Sequence, residues 1–227
     1  MGISAIIPAA GQGKRFGKKK QLILINNRPL LFYTLIPFIK CDLINEIIIA
    51  LPPEDIDFVN KYLIELNYEK KINLIKGGQE RQYSVLNAIS QTNKNNDIIC
   101  IHDAVRPFIS LEILEKTIES CILNGAAIVA VPSVDTLKKI KNSYVAKTVS
   151  RETIWKAQTP QIFKRSILER SLSVAIKSNM NETDESSIVE KAGYKVSIVE
   201  GSPLNIKITS EEDWMIANAI HANFNYG

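Results

Sequence analysis

Along its first 131 residues the chain alternates short apolar runs with stretches of helical periodicity, and this alternation restricts the folds open to it more than any other feature. The runs at residues 3–7, 46–51, 72–76, 97–101 and 126–131 are rich in Ile, Val and Ala, as strands buried on both faces of a sheet are. Helical patterns lie between them. Leu30, Leu31, Thr34, Leu35 and Phe38 follow Pro29, a good first-turn residue, and Pro37 is expected to kink or shorten that helix. Ile56, Val59, Tyr62, Leu63 and Leu66 make one stripe over residues 55–66. Residues 81–91 and 111–123 continue the series, the second closed by Asn124-Gly125. Strand and helix in strict order imply right-handed crossovers and a mostly parallel sheet covered on both faces.

The order changes after Val131. Residues 135–140 and 144–150 have strand composition and are joined by Lys141-Asn142-Ser143, which predicts an antiparallel arm. A helix over 164–177, a helix reaching Lys191 before Gly193, a strand over 195–199, the segment Asn205-Ile-Lys-Ile-Thr209 and a last helix capped by Thr209 or Ser210 follow. No repeat or linker divides the chain, and 227 residues suit one α/β domain that buries roughly 70% of its unfolded surface. The expected fold class is therefore α/β. It is a single Rossmann-like domain over residues 1–227, with a mostly parallel twisted sheet, helices on both faces and an extended β-arm at about 133–151. A lone hairpin is marginal in water, so the arm is expected to pack on a second copy of the chain.

Composition excludes several classes of partner. No apolar run approaches the roughly 20 residues that a membrane span needs, and nothing before the first glycine loop reads as an export signal, so no membrane partner is expected. A net charge of +4, without a basic helix interleaved with aromatics, gives no reason to expect nucleic acid. Cys41, Cys100 and Cys121 are odd in number and set apart in apolar segments, which suits buried reduced thiols and a cytoplasmic protein. With His102 and His221 the only histidines, the residues also argue against zinc.

The chemistry is concentrated where the first run ends. Pro8 stops ladder pairing, and Ala9, Ala10, Gly11 and Gly13 carry so little side chain that backbone N–H groups can close on an anion. Arg15, Lys18, Lys19 and Lys20 follow, and a polyphosphate suits such a loop, although a lysine run can also be only a solvated face. The dinucleotide fingerprint requires Gly where Phe16 stands, and the Walker spacing is not met either. Ligands of parallel sheets bind beyond the carboxyl ends of the strands, so residues 11–20, 77–81 and 102–107 should open on one edge. Asp103 is placed to hold Mg2+, a hard ion that takes carboxylate oxygen, but by itself it reads equally well as a cap or turn residue. Arg106 could equally form a structural ion pair, and His102 is more simply a hydrogen-bonded core histidine. Thr136 and Thr183, each taken alone, are turn or cap residues, and Trp155 and Trp214 are core aromatics.

Taken together, these blocks carry a likeness. Pro8-Ala-Ala-Gly-Gln-Gly-Lys-Arg15, Lys20-Gln21, Gly77-Gly-Gln-Glu-Arg81 with Ser84, His102-Asp-Ala-Val-Arg-Pro107, Asp135-Thr136, Arg151, Gln158-Thr-Pro-Gln161, Thr183-Asp184 and Asn205-Ile-Lys-Ile-Thr209 stand in an order that resembles the 2-C-methyl-D-erythritol 4-phosphate cytidylyltransferase family. The resemblance spans nearly the whole chain. It implies transfer of CMP from CTP to a sugar-alcohol phosphate, with Mg2+ bound and pyrophosphate released, in the non-mevalonate isoprenoid pathway. It implies that Arg15 and Lys20 stabilise the transition state while Arg151 and Lys207 position the sugar phosphate. Ala9, Ala10, Gly11, Gly13, Gly78, Gln79 and Ser84 would frame the nucleotide. Asp103, Arg106, Thr136, Thr159 and Thr183 would line the sugar-phosphate side, Asp103 serving the metal as well. A homodimer exchanging the arm is implied too, so that Thr136 or Arg151 could serve the partner's site. The chain departs from the family in having Lys19 where Pro is usual and a shorter Arg-to-Lys interval, so Lys18 and Lys19 compete with Lys20 for the catalytic place. A ribitol 5-phosphate cytidylyltransferase shares most of these motifs, and a nucleotide-binding regulatory protein without catalysis is the reading from another class.

Overall fold

The computed structural model describes residues 1–11, 19–64, 69–178, 180 and 182–226. Its centre is a seven-stranded sheet in the order β11-β7-β10-β6-β1-β4-β5. The parallel members are β1 (Gly2–Pro8), β4 (Glu46–Leu51), β5 (Lys71–Lys76), β6 (Asn96–Ile101), β7 (Ala126–Pro132) and β11 (Ser197–Glu200). The crossovers are α1 (Leu30–Lys40), α2 (Ile56–Ile64), α3 (Arg81–Gln91) and α4 (Leu111–Asn124). Successive side chains of a strand point to opposite faces, and the core divides accordingly. Ile3, Ala5 and Ile7 pack with Ile47, Ile49, Ile98 and Cys100 beneath α1, α2 and α4. Ile6 lies on the other face with Ile48, Ile99 and Ile101, against α3, α5 (Arg165–Lys177) and α6 (Glu185–Lys191).

Several elements differ from the sequence expectation. Between the glycine loop and α1 lie a 3-10 turn at Lys20–Leu22 and a small hairpin, β2 (Leu24–Ile25) with β3 (Arg28–Pro29). Asn26 and Asn27 close it at φ 46° and 63°, values that a two-residue hairpin turn needs and Asn tolerates. Pro37 does not shorten α1, which runs on to Lys40, where the Cys41 N–H reaches the Pro37 carbonyl at 3.0 Å. Leu30, Leu31, Leu35 and Phe38 are all fully buried, and at about 1.5–3 kcal/mol each their burial exceeds the roughly 3 kcal/mol that an interior proline costs. The helix expected over 55–66 is α2, and its last two positions lie outside the described residues.

The sequence reading had no strand at β10 (Trp155–Lys164), yet this ten-residue strand lies near the middle of the sheet, antiparallel to both β6 and β7. Gln158, Thr159 and Pro160 disguise it, and the register with β7 shifts between Ala157 and Gln161, a place where a strand tolerates proline. Because β10 runs backwards, its first half enters at the edge where the parallel strands end. Trp155 is 36% exposed there and is not the core residue its size suggested.

A separate two-stranded sheet, β8 (Leu137–Lys141) with β9 (Tyr144–Val149), projects from the body. Asn142 and Ser143 turn it at φ 50° and 67°, and only Leu137 and Val149, at its foot, are even half-buried. The last helix, α7 (Glu211–His221), starts from Ser210 through a reciprocal cap with Asp213. It closes a third apolar cluster with Ile25, Leu30, Tyr33, Phe108 and Ile208.

Candidate active site

At the carboxyl ends of β1, β5 and β6 lies a cleft of about 270 Å3, lined by Pro8 to Gly11, Lys20, Gln21, Gly78 to Arg81, Ser84, Asp103 to Val105 and Lys207. Its first wall follows from β1. The Ala9 N–H reaches back to the Ala50 carbonyl at 2.8 Å, and the buried Gln21 amide donates to the Ala9 and Gly11 carbonyls at 2.8 and 3.1 Å. These bonds occupy the Ala9 and Gly11 carbonyls and hold the start of the loop against the sheet. Gly13 and Arg15 lie outside the described residues.

The second wall is Gly77-Gly78. A Cβ on Gly77 would stand 2.3 Å from that of Ala10, and one on Gly78 would stand 2.4 Å from that of Tyr83, so only glycine fits either place. A Cβ on Gly11 would meet nothing among the described residues. The Ser84 hydroxyl is 1% exposed and accepts from the Gly78 N–H at 3.0 Å while reaching the Glu80 carbonyl at 3.2 Å. It thus fixes the glycine turn, and Gln79 stands exposed at the rim.

A second pocket of about 230 Å3 adjoins the first and is lined by Arg106, Gln158, Thr159, Gln161, Thr183 and Asp184. Arg81, Asp103 and Lys207 line both spaces, so these three side chains form the shared wall. Asp103 is their hub, its Oδ1 accepting from Arg81 Nε at 3.1 Å and its Oδ2 lying 2.8 Å from Lys207 Nζ and 3.4 Å from Arg106 Nε. Burial alone would raise this carboxyl, but Arg81, then Lys207 and Arg106, hold it well below the usual carboxylate range. The site therefore carries a fixed negative charge among cations.

The backbone around Asp103 is fixed as well. Its N–H donates to the Thr159 hydroxyl at 3.0 Å, and that hydroxyl donates to His102 Nδ1, also at 3.0 Å. His102 Nε2 donates to the Arg106 carbonyl at 2.9 Å, and burial pushes the ring's pKa down to about 4, which keeps the imidazole neutral at pH 7. His102 is a core histidine that shapes the turn. With the Thr159 hydroxyl taken up inside the protein, Thr159 serves the second pocket through the position of the chain. Arg106 Nη1 donates to the Asn205 carbonyl at 2.8 Å, while Asn205 Nδ2 holds the Thr159 carbonyl and Gln158 Oε1, which ties residues 205–209 to β10.

The lysine run separates cleanly. Lys20 lines the cleft and reaches the Thr209 carbonyl at 3.3 Å, whereas Lys19 turns away to Glu54 and Asp55 at 2.9 and 2.8 Å. Lys18 lies outside the described residues. Thr183 is exposed at the mouth of the second pocket. Thr136 and Arg151 line neither space; both are exposed at the foot of the arm, where Arg151 donates to the Val134 carbonyl.

Gln21, Arg81, Gln158, Gln161 and Asp184 in the pocket walls, and Glu185 behind them, had no role in the sequence reading. Each lies within or beside a quoted block, which is the one signal that could have found them. As to a metal, no three His, Cys, Asp or Glu side chains converge among the described residues. Asp103, on the wall common to both pockets, nevertheless suits Mg2+, which needs only one or two carboxylates when phosphates and water complete its shell. Asp103 Oδ1 has one described donor, so a lone pair remains for such an ion.

The comparisons with known proteins agree with one another. The family model for 2-C-methyl-D-erythritol 4-phosphate cytidylyltransferase matches residues 3–223. The chain belongs to this family. A 2-C-methyl-D-erythritol 4-phosphate cytidylyltransferase of Syntrophus aciditrophicus is 40% identical over 222 residues, covering 96% of this chain and 94% of the relative. One from Bacillus thuringiensis is 40% identical over 216 residues, with 94% and 95% covered. The crystal structure of 4-diphosphocytidyl-2C-methyl-D-erythritol synthase from Anaerococcus prevotii superimposes with a TM-score of 0.88 at 33% identity, covering 98% of this chain and 96% of that one. As a member of the cytidylyltransferase family the chain is a nucleotidyltransferase. In a family of that chemistry, two adjoining pockets with a charged common wall are a natural arrangement for two anionic substrates.

Proposed function

We infer that this chain transfers the cytidylyl group of CTP to 2-C-methyl-D-erythritol 4-phosphate, giving 4-diphosphocytidyl-2-C-methyl-D-erythritol and pyrophosphate, in isoprenoid synthesis by the non-mevalonate route. The observation that carries this reading is the shared wall of Arg81, Asp103 and Lys207 between two pockets, in a chain of this family. CTP belongs in the first cleft, with its base toward Gly78, Gln79 and Ser84 and its phosphates toward residues 9–11, Arg15 and Lys20. The sugar phosphate belongs in the second, beside Arg106, Thr159 and Thr183, with Lys207 aiming its phosphate.

The reaction forms a bond from a phosphate-monoester oxygen to the α-phosphorus and breaks the bond to the β-phosphate, so pyrophosphate leaves with its electron pair. The second pKa of a phosphate monoester is about 6, so the nucleophile is already mostly a dianion at neutral pH and needs no general base. What the protein supplies is alignment of two repelling anions and cations where charge develops. Bound Mg2+, held by Asp103 and the triphosphate, would neutralise phosphate charge.

Homodimerisation through the arm completes the proposal. Arg151 and Thr136 lie off both pockets of their own chain, and they would reach the partner's second pocket if the arms are exchanged. A cytoplasmic location accords with three buried free cysteines. No helix among the described residues is long and apolar enough to cross a membrane.

The test is pyrophosphate release. It should require CTP and 2-C-methyl-D-erythritol 4-phosphate together, stop with a chelator and return with Mg2+. A higher kcat/KM with ribitol 5-phosphate, or comparable use of ATP, would overturn the assignment.

A further inference from the structure

We propose that Arg81, held from behind by the buried Glu185, is a positioning residue that fixes Asp103 and thereby sets Lys207 and Arg106 at the wall between the two substrates; this rests on the two-substrate reading above. Arg81 is the first residue of α3, and its two ends do different work. Nε donates to Asp103 Oδ1 at 3.1 Å, while Nη1 sits 2.6 and 2.7 Å from the two oxygens of Glu185. The planar fork holds these two directions in one rigid group, which an ammonium cannot do.

Glu185 is only 2% exposed and opens α6. A carboxylate at a helix start is favourable in itself, but that benefit is available at the surface and does not require burial. Burial of a charge is tolerated only where it is paired, and the partner seen here is Arg81. The helix that carries Glu185 is itself anchored. Asp184 caps it at the Ser187 N–H and accepts from Gln161 Nε2 at 2.8 Å, while Gln161 Oε1 accepts from the Ser186 N–H at 3.0 Å. A line of alternating charge thus runs from α6 through Glu185, Arg81 and Asp103 to Lys207 and Arg106. Arg81 is also the strongest of the cationic influences on Asp103. Without Arg81, Asp103 keeps its charge partners on one side only and is free to follow them.

The test compares Arg81→Lys, Glu185→Gln and the double variant by steady-state pyrophosphate release, with CTP and 2-C-methyl-D-erythritol 4-phosphate varied separately. Arg81→Lys should raise KM for the sugar phosphate about tenfold and lower kcat about tenfold, with a smaller rise in KM for CTP, whose cleft Arg81 and Asp103 also line. A merely structural loss would lower the active fraction and leave both KM values unchanged. Glu185→Gln should move the same constants in the same direction, and the double variant should be no worse than Arg81→Lys, because Glu185 acts through Arg81. Full additivity, or a normal Arg81→Lys enzyme, overturns the proposal. The thermal midpoint and the far-UV circular dichroism spectrum check that each variant is folded, and Glu185→Asp replaces Glu185→Gln if that variant is not. An inactive wild-type chain would instead refute the reaction itself, and the positioning role with it.

Discussion

Lys20→Ala tests the cleft most directly, because the structure divides the lysine run into one residue that lines the cleft and one that turns away from it. An ammonium about 4 Å from a phosphate oxygen, at an effective dielectric near 20, is worth roughly 4 kcal/mol. Removing one preorganised donor from a developing anion costs about 2.7–4 kcal/mol in comparable sites. At about 1.4 kcal/mol per factor of ten, Lys20→Ala should lower kcat by about 100- to 1,000-fold. The control is Lys19→Ala. Lys19 is bound to Glu54 and to Asp55, itself only 7% exposed, on the side away from the cleft. Its loss should leave turnover within about threefold and reduce stability by about 1 kcal/mol, the scale of a partly exposed ion pair. Pyrophosphate release at saturating substrates gives the first figure and urea unfolding the second. A dead Lys19 variant beside a near-normal Lys20 variant would refute the placement of the loop.

Two further outcomes follow from the same geometry. The unfolded His102 imidazole takes a proton near pH 6.5 and the folded one only at about 4, so the unfolded state binds more protons between these values. Stability from this group is fully present above pH 6.5 and is lost as pH falls toward 4, by about 3 kcal/mol in all; a His102→Gln variant should show a correspondingly flatter decline in urea unfolding, and an unchanged slope would mean the ring is not buried neutral. Mixing an Arg15→Ala chain with an Arg151→Ala chain under subunit exchange should restore one functional site per mixed dimer, and no recovery despite proven exchange would place Arg15 and Arg151 in one chain's site.

The parallel strands β1, β4, β6 and β7 were legible because each is built on a short run dominated by Ile, Val and Ala, and Ile3, Ile47 and Ile98 advertise their burial without reference to anything distant. The loops at the strand ends followed from the same rule, and Gly77-Gly78 proved to be glycine for steric reasons that a sequence can suggest but not establish. β10 was illegible because Gln158, Thr159 and Gln161 are polar residues in a central strand. Their satisfaction comes from Ser202, His102, Asp184 and Ser186, residues 23 or more positions away, so no local window contains the reason for them.

The same physics explains why the site was legible only in part. Lys20 and Asp103 lie in loops at strand ends whose charge points to phosphate chemistry and Lys207 came only through the family resemblance, whereas the Arg81–Glu185 pair joins residues 104 positions apart. Glu185 next to Asp184 reads as an ordinary acidic helix start, and nothing in its neighbourhood marks it as buried. A sequence shows the groups that meet a ligand more readily than the groups that hold them. Polar residues in a central strand and a buried carboxylate both break local rules of burial, and here the former line the second pocket and the latter stands behind the wall common to both, where rigid polar support suits the alignment of two anionic substrates.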